Sequence, residues 1–174
     1  MPPPRVPAFG DRFDPRATAE TLGVELPSDY LAFVNTYGAG NVDDFLLVLM
    51  PGSENRYVDL CRQAAAQGAV LKQLVAQDLP RTCLPFPSPG GLLPWAITDN
   101  GDVCFWRTGD PDPDRWSVVV CDGKMLEWEA FDGGMAQFLH AVLSRQYRCP
   151  IFPDDFPSDA PAFTGFPEPA QPLT

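Results

Sequence analysis

Three sets of residues in this chain are of types that do chemistry: five cysteines, one histidine and an alternating run of aspartates. The cysteines are Cys61, Cys83, Cys104, Cys121 and Cys149. No two stand at Cys-x-x-Cys spacing, so they lack the paired thiolates of a zinc site. Their odd number, with no apolar secretory segment ahead of them, argues against a disulfide framework. Reduced and mostly buried thiols in a cytoplasmic protein are expected. His140 is the single histidine. A nucleophilic Cys–His pair needs a nearby thiol and an orienting carboxylate, and the spacing brings neither to His140, so a helix-flank position is expected. Asp110, Asp112 and Asp114 open like a calcium loop. Such a loop needs Gly sixth and Glu twelfth, where this chain has Arg115 and Cys121, and Pro111 and Pro113 stiffen it. Pro89-Gly90-Gly91 lacks the Lys and Ser/Thr of a phosphate cradle and leads into a strand pattern, so it is a turn. No catalytic residue, metal ligand or cofactor site is assigned.

The carboxylates are better suited to binding. The 174 residues carry 23 acids against 12 Lys and Arg, a net charge of -11, and the pI is near 4.3. That field repels nucleic acid and anionic lipid and attracts basic proteins. It serves solubility equally well. Asp99 and Asp102 flank one turn signal, Asp110, Asp112 and Asp114 precede Trp116, and Glu127 and Glu129 alternate with Trp128. Carboxylates around aromatic anchors make a partner-binding surface of Asp99, Asp102, Asp110, Asp112, Asp114, Trp116, Glu127 and Glu129. The alternative is that the acids are solvated turn residues. For each Trp alone, a place in the core is the simpler expectation.

The elements that must position these residues are legible in outline. Asp14-Pro15 is an N-cap followed by Pro at the first helical position, and a short helix runs to about Gly23. Ser28 is placed to cap a helix through Tyr37, with Gly38 as its stop. Tyr30, Phe33, Val34 and Tyr37 give that helix one apolar stripe. Residues 45–50 read as a strand buried on both faces, and 57–75 as a helix with Gly68 a weak point in its middle. After a Pro-rich connection over 78–91 the period changes to two. Strands are expected over 93–98 and 102–107, joined at Asp99-Asn100-Gly101 by a type I′ turn. A second pair, 116–121 and 125–130, surrounds Asp122-Gly123-Lys124. A helix follows to about Arg145. The N-terminal Met-Pro-Pro-Pro has no signal-peptide character, and the apolar run ending at Pro51 is too short to cross a bilayer. The expected organisation is a flexible arm over 1–13, a domain over 14–149, and an acidic tail over 150–174. The tail's Pro content argues against regular structure, and its four Phe argue for partial docking on the domain. Helices segregated from antiparallel strands make the class α+β.

Several blocks resemble the SUKH superfamily, which contains the yeast cell-wall regulator of the Smi/Knr type and many bacterial immunity proteins. Residues 26–40, from Leu26-Pro27 through Tyr30, Phe33 and Tyr37 to Gly38-Ala39-Gly40, resemble its opening helix. Leu93-Pro94-Trp95 and Asn100-Gly101-Asp102 look like its second block. Trp106 and the strand at Trp116 resemble those that follow, and 131–143 its closing helix. The resemblance spans about residues 15–146 and leaves the tail outside. It implies a curved antiparallel sheet, a meander with helices packed on one side, and no enzymatic activity. It also implies an immunity role, in which a cognate polymorphic toxin, often a nuclease, is bound and blocked. A scaffold or regulatory adaptor of the Smi/Knr type is the alternative.

Overall fold

A computed structural model describes residues 1–4, 13–76 and 83–166. Most of the N-terminal arm, part of the 78–91 connection and the end of the tail, 167–174, lie outside the described residues.

The helices are α1 (Pro15–Leu22), α2 (Ser28–Tyr37), α3 (Leu60–Val75) and α4 (Met135–Leu143). The strands are β1 (Gly40–Val42), β2 (Leu46–Val48), β3 (Leu92–Thr98), β4 (Val103–Arg107), β5 (Ser117–Cys121), β6 (Trp128–Phe131) and β7 (Phe163–Gly165). They form one open sheet in the order β6-β5-β4-β3-β2-β1-β7, with every neighbouring pair antiparallel. The class is α+β, as expected.

Alternation along the central strands sorts their side chains onto two faces. Cys104, Trp106, Val118 and Val120 join Tyr30 and Val34 of α2 and Met135, Phe138, Leu139 and Val142 of α4 in the main core. Val103, Phe105, Val119 and Cys121 turn the other way, where Leu71 of α3 and Cys83 cover them. Thus α2 and α4 lie on one side, while α3 leads from Leu60 in the main core to Leu71 on the opposite face. Trp95 and Trp106 are fully buried, and Trp106 meets Tyr30 edge-on with ring centroids 5.0 Å apart. Truncating a residue of this size in such a core costs about 3–5 kcal/mol.

The local differences from expectation have specific causes. Ser28 is the first residue of α2 and does not cap it; Pro27 holds the cap position with no side-chain acceptor. The Ser28 amide instead donates to the Asp114 carboxylate at 2.6 Å, an acceptor 86 residues away. Asp29 caps α4 in the same manner, accepting from Ala136 N at 2.8 Å. Helix α3 begins at Leu60, after Asp59 accepts from Arg62 N. The β3–β4 connection is not type I′. Gly101 N donates to Thr98 O and only Gly101 has positive φ, 83°, in the loop, which is a three-residue loop ending in a glycine bulge. Strand β6 starts at Trp128 rather than 125, because the Asp122 carboxylate captures the amides of Lys124, Leu126 and Glu127. Of residues 45–50 only 46–48 are strand, and Leu47 is half-buried rather than buried.

The tail contains a strand after all. β7 occupies 163–165, between Pro161 and Pro167, and pairs with β1 at the sheet edge. Phe152 is buried in the main core, Phe156 packs against it, and Phe163 meets Phe33 and Tyr37. The Asp43 carboxylate accepts from the Ser158 amide at 2.6 Å and the Ser158 hydroxyl at 2.8 Å.

Candidate functional site

The sheet separates the eight candidate contact residues into two groups. Val103 pairs with Cys121 at one end of β4, and Arg107 with Ser117 at the other, about 14 Å away at strand spacing. Asp99, Asp102 and Glu127 belong to the end carrying the β3–β4 and β5–β6 turns. Asp110, Asp112, Asp114 and Trp116 belong to the opposite end, in the β4–β5 connection. Glu129 lies on β6 between them. No single patch contains all eight.

At the turn end, Asp102 is only 5% exposed. Its carboxylate accepts from the Thr98 hydroxyl at 2.8 Å and from Gly123 N at 3.0 Å. It ties the two turns together, and its burial removes it from any direct contact surface. Asp99 and Glu127 are exposed. Beside them the Asp122 carboxylate lies below the usual carboxylate range, chiefly because the Glu127 amide, then those of Leu126 and Lys124, donate to it. This rigid turn holds Met125 at φ 58° and leaves Leu126 76% exposed.

At the opposite end, the alternating aspartates brace their own loop. Asp110 accepts from Asp112 N at 2.9 Å, and Asp112 from Asp114 N at 3.1 Å. Asp114 anchors Ser28. Arg115 reaches Asp112 at 3.8 Å and Asp110 at 4.0 Å with its side chain largely in solvent, so these pairs are weak. Trp116 is 4% exposed, and its indole N–H donates to Asp110 O at 2.8 Å. It is a core residue that fastens the loop, not an exposed anchor. This loop, residues 22–25 and residues 86–89 enclose a groove of about 820 Å³. Glu25, Thr108 and Phe86 line it and were not among the candidates, because residues far apart in the chain form it. Glu129 is half-buried and accepts the Tyr147 hydroxyl at 2.6 Å.

The remaining chemical groups are dispersed. Among the described residues, no group of three or more His, Cys, Asp or Glu is placed to hold a metal ion. His140 is exposed on α4, and the shallow cavity it borders, with Phe33, Tyr37 and Leu143, is lined by neither Cys nor carboxylate. None of the five cysteines is joined in a disulfide. Burial pushes the Cys104, Cys121 and Cys61 thiols up, and the Cys149 thiol up to about 11. Pro89-Gly90-Gly91 is a turn, closed by Gly91 N donating to Ser88 O at 2.7 Å. Among the described residues, no helix is long and apolar enough to cross a membrane.

An open antiparallel sheet with short helices, three buried tryptophans and braced acidic loops defines a small α+β protein. A family model described as SMI1-KNR4 cell-wall, SUKH_6, matches residues 17–138. The chain therefore belongs to the SUKH superfamily, and the match runs from α1 into α4, leaving out the tail. No curated protein and no solved structure matches it. Members of this family are in general non-catalytic.

Proposed function

We propose that this protein is an immunity protein that binds a cognate, basic toxin domain one to one and blocks it without chemistry of its own, in the cytoplasm. The observation that carries this is the net charge of -11 on a SUKH fold. A nuclease or other phosphate-seeking toxin keeps a basic cleft, and an acidic protein reaches such a cleft faster and competes with its substrate by charge. Exposed Asp99 and Glu127 at one end supply carboxylates free to take part, and Asp112 at the other is exposed while it braces its loop. Asp102 and Trp116 contribute by holding the loops in place.

The neighbouring genes provide the test. An immunity role predicts, directly upstream, a large protein with a C-terminal toxin module. Expression of that module stops growth of a host, and co-expression of this chain restores it. Growth arrest unrelieved by co-expression contradicts the proposal. The description of the matching family as cell-wall proteins favours a second role, a regulatory adaptor. Capture of several housekeeping proteins by the tagged chain, with no dominant basic partner, supports that role instead.

A further inference from the structure

The groove at the β4–β5 end has the shape and charge of a built receptor. Its volume of about 820 Å³ lies within the range that holds a ligand or a short chain segment. Its walls are Leu22 and Val24 on one side, Phe86, Pro87 and Pro89 on another, and Pro111, Pro113 and Trp116 on the third. Proline walls leave little backbone freedom to lose when a partner is ordered against them. The loops are also fastened to each other. Thr108 N and the Thr108 hydroxyl both donate to Gly91 O at 2.9 Å, and Gly90 N donates to Thr108 O at 3.3 Å. The Trp116 indole and the Asp114 carboxylate hold the third wall, as described above.

The charge around this apolar floor is net negative. Glu25 and Asp110 line the groove, and Asp112 and Asp114 follow in the same loop, against Arg115 alone. Glu25 has no ion pair among the described residues. A nucleic acid is the wrong sign for this rim. An arginine side chain matches it: the guanidinium is planar, is weakly hydrated, lies flat on aromatic surface, and pairs with a carboxylate through two donors.

We propose that this groove receives an arginine-bearing loop of the basic protein partner, with Glu25 and Asp110 pairing with the guanidinium and Phe86 and the prolines packing on its stem. This rests on the partner being a basic protein, and it adds where on the molecule that partner is gripped.

The test uses the whole chain, isotopically labelled, titrated with N-acetylated hexa-arginine amide and followed by amide and indole resonances. The expected result is saturable shifts at Gly23, Glu25, Gly109 and the Trp116 indole N–H. Affinity is expected to fall about threefold to fivefold in Glu25→Gln and in Asp110→Asn, the scale of one exposed ion pair, and to stay unchanged in Asp44→Asn and Asp155→Asn, exposed acids outside the groove. Retained spectral dispersion in each variant shows that it folds. Shifts centred on Asp99 and Glu127 overturn the groove and leave the basic-partner proposal standing. Equal affinity for a neutral hexaproline peptide overturns the cationic occupant. Absence of saturable shifts in the groove overturns the inference, whereas the basic-partner proposal stands or falls by the co-expression result.

Discussion

Asp99 and Asp102 are alike in sequence, two acids flanking Asn100-Gly101, and unlike in the molecule. Replacing Asp102 by Ala leaves the buried Thr98 hydroxyl, and the Gly123 N–H of an exposed turn, without their acceptor. Such a loss costs about 2 kcal/mol, read as a lowered urea midpoint, while Asp99→Ala stays within about 0.5 kcal/mol of the parent. Sequence cannot separate the two, because what buries Asp102 is the β5–β6 turn arriving from 21 residues away. The same holds for Trp116, whose aromatic type suits a core and an anchor equally. The thiols and Tyr147 set a second expectation at this scale. Burial and neighbouring carboxylates keep them protonated in the folded chain to higher pH than in the unfolded chain. For Cys149, from an ordinary value of 9.0 up to about 11, the unfolded chain loses its proton first, so stability falls as pH rises across that interval. A urea midpoint that is flat from about pH 6 to about pH 8 and declines between about pH 9 and about pH 11 is expected; a midpoint that rises there contradicts it.

Among the elements, α2, α4 and the central meander were legible because their apolar spacing has the right period over enough residues. β1 and β7 were not. Each has three residues, and they pair across more than 120 positions of chain, so neither carries a periodic signal. Asp14, adjacent to α1, caps it as expected, but the Ser28 cap was misread for a related reason: Asp114 and Asp29 act on helices remote in sequence, where a capping rule looks only to adjacent residues. Gly40 records the β1–β7 pairing. A Cβ there would collide with Thr164 O and meet the Phe163 ring at 2.6 Å. Gly40→Ala is therefore expected to displace β7, seen as faster hydrogen exchange at 163–165, with a loss of about 1–3 kcal/mol. Gly68 predicts the opposite sign. In the middle of α3 its added Cβ meets, among the described residues, only Phe86 O, at 3.8 Å, an ordinary contact. Gly68→Ala should stabilise by about 0.5–1 kcal/mol in thermal unfolding, and a destabilised variant contradicts that packing.

The whole molecule is a negatively charged body whose candidate contacts sit at both ends of one sheet. Composition made that charge plain, and the resemblance made the fold plain. What neither disclosed was the division of the acids into two ends, or that four of the seven, Asp102, Asp110, Asp112 and Asp114, brace loops. Charge-driven association is screened by salt. Raising salt from about 50 mM to about 500 mM is thus expected to slow association with the basic partner by tenfold or more, with a smaller effect on dissociation. The most direct discriminator between blocking and turnover is a titration of the upstream toxin module's activity with this chain. Simple occlusion predicts a linear loss of activity that ends at one equivalent and returns when the complex is dissociated. Complete, irreversible loss at a small fraction of an equivalent would contradict it, as would full toxin activity with the chain in excess.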